Sequence, residues 1–382
     1  MNSKAATRSN DVTATIRVWD PLVRLLHWSF VAAVAFAALT GLVLGSRWIT
    51  PHVVVGTALG ALLLIRLIWG VTGSATARFA SFIVGPAALR EHVAELRAGH
   101  AGRHLGHNPL GGYMILALLA VMAAVVVSGG LLLGGVFKAG PAKALISFDA
   151  AMPMRELHEI AAYGLLALVV LHVAGAVFES LRTRENLVRA MVTGRKEKGD
   201  AELHGSGTPR PVLTLLLVTL FVGGIGWLGA SAMQRPIPNP PVQMAGTTYA
   251  AACVDCHMLY HPSLLPAASW QGLMTTLDDH FGEDASLDPA TVDEITAWLV
   301  ANAAETVDTK PAHMFAAVNP DSPAEITSTS RWQRIHDDLP EALFKSAAVK
   351  SRANCAACHT DAASGWFYPA AIDVPHEAAA QP

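Results

Sequence analysis

The sequence predicts an all-α protein in two parts: a bundle of membrane-crossing helices, and a small, mostly helical polar head. Three observations predict it. The 382-residue chain is 52% hydrophobic and only 15% charged, with a mean hydropathy of +0.38. The apolar residues gather before residue 232 in five long runs, and the remainder has an ordinary polar composition. All four cysteines lie in that polar remainder, in two copies of one pentapeptide: Cys253-Val254-Asp255-Cys256-His257 and Cys355-Ala356-Ala357-Cys358-His359.

The five apolar runs are residues 22–45, 52–72, 110–134, 157–180 and 211–232. Each is long enough to cross ~30 Å of hydrocarbon. The residues before the first run are polar and that run spans, so no cleavable leader is expected. Basic residues set orientation. Lys4, Arg8, Arg17 and Arg24 precede or open the first span. Arg78, Arg90, Arg97 and Arg103 follow the second, and Arg182, Arg184, Arg189, Arg195, Lys196 and Lys198 follow the fourth. The opposite connections carry only Arg47, Lys138, Lys143 and Arg155. The bias predicts a cytoplasmic N-terminus and, after five crossings, an external C-terminal region. The expected domains are therefore a four-helix membrane bundle over 1–200, a fifth span and linker over 201–244, and an external head over 245–382.

The connection over 73–109 is polar and holds His92, His100, His104 and His107. It reads as a loop with an amphipathic surface helix, and its histidines as solvated rather than metal-binding. Arg235-Pro236-Ile237-Pro238-Asn239-Pro240-Pro241 favours extended polyproline and reads as a stiff spacer. The glycines at 129–130 and 134–135 lie in an apolar span and read as close helix or cofactor packing. A net charge of −3 argues against a nucleic-acid partner.

C-x-x-C-H is the attachment signature of c-type haem. Two thiols reach the two vinyl groups of one haem, and the adjacent histidine becomes the proximal iron ligand. Cys253, Cys256 and His257 are assigned to one such group, and Cys355, Cys358 and His359 to another. A four-cysteine zinc site would use the same pairs but would not explain a histidine after both. Attachment of such haems takes place outside the bacterial inner membrane, which agrees with the charge bias.

Ionisable residues inside spans are costly and tend to be functional. His27, His52, His158 and His172 sit in or at the ends of spans. His158 and His172 are fourteen residues apart, close to four helical turns, so both point along nearly one face at two depths. The first span enters from the cytoplasm, which sets His27 at the depth of His172. The second enters from outside, which sets His52 at the depth of His158. The expectation is two b-type haems, one held by His27 and His172 and one by His52 and His158. Arg66 follows His52 by fourteen residues and Arg24 precedes His27 by one turn. Both guanidinium groups are expected against haem propionates, a quinone headgroup or lipid phosphate.

Val18-Trp19-Asp20-Pro21 with Arg24 and His27-Trp28, then Arg66-x-x-Trp69-Gly70 and Ala77-Arg78-Phe79, resembles the bacterial cytochrome b561 family over residues 12–200. The resemblance implies a four-helix bundle with two b haems, quinone exchange and frequent homodimers. The fifth span lies outside that pattern and reads as a tether.

In the head, helices are expected near 269–281 and 290–303. Candidates for the second iron ligands are His261, His280, His313, His336 and His376, with Met258, Met274 and Met314 as methionine alternatives. Leu264-Leu265-Pro266-Ala267, Ser269-Trp270, His280-Phe281-Gly282-Glu283-Asp284-Ala285, Asn302-Ala303-Ala304 and Ile335-His336-Asp337 resemble the dihaem cytochrome c family. That resemblance implies bis-histidine haems with His280 and His336 as sixth ligands. Their pairing is open, with local pairing as the default. His261, beside Pro262, reads as a surface histidine, and His313 and His376 likewise.

The simplest function this predicts is electron transfer between the quinone pool and a soluble periplasmic redox protein, from an inner-membrane protein in contact with lipid. Two alternatives follow from other classes. One is superoxide:quinone oxidoreductase activity at the b domain, as the b561 resemblance allows. The other is a membrane anchor subunit of a larger oxidoreductase.

Overall fold

The computed structural model describes residues 15–100, 102–197 and 208–375. Lys4, Arg8, Lys198 and His376 lie outside the described residues. The chain divides into two compact units, Met1–Gly129 with Glu156–Leu228, and Gly130–Arg155 with Gly229–Pro382.

The first unit opens with strand β1 (Thr15–Arg17) and helix α1 (Pro21–Ala38). The Asp20 side chain accepts from Val23 N at 2.8 Å, and Pro21 follows at the first helical position. This is a strong start signal. The helix continues as a π turn, Leu39–Val43, closed by Leu44 N donating to Leu39 O at 3.0 Å. Helix α2 (Ile49–Thr72) follows, then α3 (Pro86–Ala98), which ends at Gly99 in the left-handed conformation. Helices α4 (Pro109–Gly135) and α5 (Phe148–Thr183) come next, then α6 (Leu187–Thr193), strand β2 (Arg195–Glu197) and α7 (Pro211–Met233). β1 and β2 pair antiparallel, with Ile16 opposite Lys196.

Among the described residues, five helices are long and apolar enough to cross a membrane: α1 with its π turn, α2, α4, α5 and α7. The fourth of these begins at Phe148, nine residues before the predicted 157. Asp149, Arg155 and Glu156 hide that start from hydropathy, although the backbone is helical through them. Large apolar side chains point outward, Leu181 at 76% and Val212 at 72% exposure. In water such a surface would be unfavourable; lipid satisfies it.

The interior of this unit is tied at one end by the motif residues. The second Asp20 carboxylate oxygen accepts from Trp69 Nε1 at 3.0 Å and from Ser74 Oγ at 2.5 Å. A Cβ on Gly70 would meet the Phe79 ring at 2.1 Å, so only glycine fits there. Trp19, Val23, Trp69, Ala77 and Ala190 form one buried cluster. Leu59, Leu63, Leu119, Met122 and Leu165 form another between α2, α4 and α5. The tether helix α7 also has a bond inside the unit: Thr214 Oγ1 lies 2.7 Å from Thr72 Oγ1.

The second unit comprises the turn between α4 and α5 together with the head. A Cβ on Gly134 or Gly135 would lie 2.6 Å from Ala142 or 2.2 Å from Ala151, so this glycine pair serves close backbone packing. Lys138 has φ 48° and a buried side chain. Its ammonium donates to Asp308 Oδ2 at 2.5 Å and to Ile146 O at 3.3 Å. Asp308 Oδ1 also accepts from Phe148 N at 3.1 Å and lies 3.0 Å from His313 Nε2. His313 stacks on Phe148 with ring centres 4.5 Å apart, and its Nδ1 is 3.3 Å from Asp149. The expected surface histidine is therefore a member of a polar junction.

The head contains short helices α8 (Thr248–Cys253), α9 (Ala267–Met274), α10 (Pro289–Ala301), α11 (Lys310–Phe315), α12 (Ser330–Ile335) and α13 (Glu341–Phe344). Capping side chains recur: Thr247, Asp288, Thr309 and Thr329 each accept a backbone N–H of the first turn. The helix expected over 269–281 stops at Met274, where two threonines follow and Thr276 adopts φ −127°. Two hydrophobic cores form, one around Tyr249, Trp270, Met274, Ile295 and Leu299, the other around Leu264, Phe315, Trp332, Leu343 and Phe344. Each packs against one C-x-x-C-H segment. The proline-rich segment is not uniformly extended. Asn239 takes φ 46°, and its carbonyl accepts from Asp308 N at 3.1 Å.

Candidate haem-binding sites

In the membrane helices and the head, four pairs of histidines face one another at one spacing. Ring centres are 6.4 Å apart for His27 and His172, 6.2 Å for His52 and His158, 6.0 Å for His257 and His280, and 6.3 Å for His336 and His359. Metal–imidazole nitrogen bonds run about 2 Å and each ring centre stands roughly another 1 Å beyond its nitrogen, so two imidazoles on one iron have centres ~6 Å apart. All four pairs meet that spacing. The two membrane pairs are those expected from helix depth, and the head pairs are local.

The outer nitrogens of these rings are also prepared. His52 Nδ1 lies 3.1 Å from both Ala37 O and Thr40 Oγ1. His158 Nδ1 lies 3.0 Å from both Val125 O and Ser128 Oγ. His257 Nδ1 faces Met258 O at 2.7 Å, and His336 Nδ1 faces Trp332 O at 2.8 Å. A proton held on Nδ1 by a carbonyl leaves Nε2 as the free ligand atom. His27 and His359 differ, because their buried Nδ1 atoms have no hydrogen-bond partner.

Two glycines complete the membrane sites, and only one of them lay in the sequence argument. A Cβ at Gly129 would lie 3.0 Å from His158 Cε1, and one at Gly41 would lie 2.9 Å from His52 Cε1. Gly41 sits in the π turn after α1. That turn also presents Thr40, so an irregularity of the helix shapes the setting of His52. π turns of this kind concentrate at functional sites. A glycine inside an apolar run was the available signal.

Arg66 is buried within α2, 5.0 Å over the Phe79 ring, with Nη1 unpaired. Arg24 reaches Thr193 O at 3.4 Å, and its Nε is buried without a partner. These orphaned donors suit an anionic or carbonyl oxygen, the chemistry of a propionate or a quinone. Of the loop histidines, His100 is exposed as expected, but His92, His104 and His107 are not. His92 is 3% exposed and faces His104 with centres 5.3 Å apart. His107 lies between Trp19 and Phe82 at 4.5 and 4.7 Å. Burial, with the positive groups Arg66 and Lys196 and with His172 nearby, pushes the His107 pKa down to about 3, so it is neutral. His104 and His107 line a small cavity with Thr76, Ser81 and Phe82. Among the described residues no group of three or more His, Cys, Asp or Glu side chains is placed to hold a metal ion.

In the head the two attachment segments brace each other. Ala356 N donates to Met258 Sδ at 3.3 Å, and Tyr260 Oη donates to Ala353 O at 2.7 Å. Met258 thus has a structural contact, Met274 is buried in the first core and Met314 packs against the second. His261 is fully buried rather than on the surface. Its ring sits 2.7 Å from Ser263 Oγ and 3.1 Å from Val242 O, and Gly365 leaves room for it.

Paired histidines within apolar helices, and further pairs beside C-x-x-C-H, define a membrane cytochrome. The model of the prokaryotic cytochrome b561 family matches residues 18–194, and that of the dihaem cytochrome c family matches residues 249–367. Residues 18–194 are thus a cytochrome b561 membrane part and residues 249–367 a dihaem cytochrome c head, together a transmembrane electron-transfer cytochrome with haem b and haem c. Among solved structures it is similar to the diheme cytochrome c from Rhodobacter sphaeroides, at 40% identity over 32% of this chain and 98% of that one, with a TM-score of 0.29. The diheme cytochrome type c from Shewanella baltica OS155 is 32% identical over 35% of this chain and 95% of its own, also with a TM-score of 0.29. None of the curated proteins matches.

Proposed function

We propose that the chain carries electrons between the quinone pool of a bacterial inner membrane and a soluble periplasmic redox protein, using two b-type and two c-type haems. The observation that supports this is the set of four histidine pairs at one common spacing, two in membrane helices and two beside attachment cysteines. Haem supplies an iron that takes up and releases single electrons. The protein's contribution is to fix the imidazoles that would hold the irons, His27 with His172, His52 with His158, His257 with His280 and His336 with His359. The carbonyls of Ala37, Val125, Met258 and Trp332 hold four of these rings in one tautomer. The buried neutral His107 and the unpaired guanidinium of Arg66 support a quinone headgroup near that end of the bundle. In this reading the N-terminus is cytoplasmic, the head is periplasmic, and α7 with the following linker tethers the two.

The test is reduction of the purified protein by a short-chain quinol in liposomes. Quinol should reduce the b haems first and the c haems after them, and pyridine haemochrome analysis should give equal b and c content. A quinol that leaves the c haems oxidised, when dithionite reduces them, would reject the proposal. An active C-terminal alkaline phosphatase fusion checks the orientation.

A further inference from the structure

The charges of the head are unevenly distributed. From Pro236 to Thr309 the sequence holds ten aspartates and glutamates and no lysine or arginine. Beyond that point the signs mix: Arg331, Arg334, Lys345, Lys350 and Arg352 alternate with acids, and Glu341 pairs with both Arg352 and Lys345. In the first lobe, residues 236–309, only Asp308 is matched among the described residues, by Lys138 and His313. Asp255, Asp278, Asp279, Glu283 and Asp284 are all exposed, and no ion pair engages any of them among the described residues. Backbone donors fix two of them in place: Gly282 N to Asp279 Oδ1 at 3.1 Å, and Ser286 N to Asp284 Oδ1 at 2.9 Å.

These acids flank the His257–His280 pair through a two-residue turn. His280 N donates to Glu283 O at 2.8 Å, and Glu283 N returns to His280 O at 3.3 Å. The turn forces φ of 56° on Phe281 and 92° on Gly282. Glycine takes that conformation freely; phenylalanine does not. The result is an aromatic ring 68% exposed, set edge-on to His280 with centres 5.1 Å apart. A strained backbone that lifts an apolar side chain into solvent calls for a functional explanation. The second lobe is built differently: Trp332 stacks on His336 at 4.3 Å, is itself buried, and has Arg352 over its ring.

We propose that the first-lobe face centred on Phe281 is the docking surface for a cationic soluble redox protein, and that electrons cross between the two proteins at the His257–His280 site. This rests on the reading that the head serves a soluble partner. An apolar centre within an acidic rim matches the anatomy of transient interfaces, in which charge steers the encounter and apolar contact seats it. A lobe with nine carboxylates outside any ion pair among the described residues, and no lysine or arginine of its own, attracts cations and repels anionic proteins at distances beyond contact.

The experiment is stopped-flow electron exchange between the full-length reduced protein and a lysine-rich monohaem cytochrome c, over a series of ionic strengths. The wild-type rate should fall steeply as salt rises. The variant Asp278→Asn/Asp279→Asn/Glu283→Gln/Asp284→Asn should be slower by about tenfold at low salt, with a flattened salt dependence and unchanged c-haem content. The second-lobe variant Asp337→Asn/Asp338→Asn should behave as wild type. A wild-type rate indifferent to salt would overturn the proposal, and that measurement needs no variant to fold. Slowing by the second-lobe variant alone would also overturn it, while leaving the broader function intact. Failure to exchange with the cationic probe and with an acidic flavodoxin alike would reject the broader function as well.

Discussion

The ammonium of Lys138 and the carboxylate of Asp308 form a buried ion pair across 170 residues of sequence. Lys138 belongs to the turn between α4 and α5, and Asp308 to the segment of the head just before α11. The same carboxylate gathers Phe148 N and His313. Removing one member of a buried pair leaves the other charged and unmatched, which costs about 3–5 kcal/mol. Lys138→Met should therefore destabilise the second unit by roughly that amount, less some relief because Asp308 is partly exposed. Thermal melting followed at the c-haem Soret band would check it, and Lys138→Met/Asp308→Asn should recover most of the loss.

The same carboxylate predicts a pH dependence. Burial alone would raise the Asp308 pKa, but hydrogen bonds from Lys138, Phe148 N and His313 outweigh it and hold the group below its ordinary value. A carboxylate with a depressed folded-state pKa adds stability above its unfolded value, near 3.9, and that stability is lost as pH falls through the folded value. The melting temperature of the head should thus drop below about pH 4, and Asp308→Asn should drop less steeply. Parallel curves for the two proteins would reject the assignment.

The two ring-packing glycines offer a selective test of the membrane sites. Gly41→Val and Gly129→Val should each displace the ring of His52 or His158 and lower b-haem content toward half. The c-haem content should stay whole. Full b content in either variant would mean that the close approach does not govern binding.

Single-ligand changes should separate the two b haems. His158→Ala should remove the His52–His158 group and leave the other, and His172→Ala should do the reverse. Redox titration of each variant should show one b component instead of two. Two intact components in either would break the pairing.

In the head, His336→Met should raise the midpoint of one c haem by on the order of 100 mV, because axial ligands set potentials over a wide range. The other c haem should move little. A shift confined to the haem attached at Cys253 and Cys256 would indicate crossed ligation.

The two membrane histidine pairs and the two attachment histidines were legible in the sequence because each depends on a local rule. Helical periodicity fixes His158 against His172, span direction fixes the depths of His27 and His52, and C-x-x-C-H marks the head. The family resemblance, not spacing, pointed to His280 and His336. What escaped was set by contacts between distant segments. The Lys138–Asp308 pair has no local pattern. The burial of His261 depends on Gly365, over a hundred residues away. The early start of α5 was masked by charged residues that the backbone carries in helical form. The place of Gly41 beside His52 required knowing how α1 meets α2 through a π turn.

The mutual bracing of the two attachment segments bears on how the head is made. Tyr260 grips Ala353, and Met258 receives Ala356 N, so each cysteine segment is shaped partly by the other. Maturation is then a joint event: a chain that has acquired one cofactor presents its second cysteine pair on an unfinished support. Quality control at the membrane would meet fully equipped and poorly folded molecules, with few stable halves between them. Replacing both cysteines of either motif should accordingly empty the cell of the whole head, not deliver a one-haem version of it.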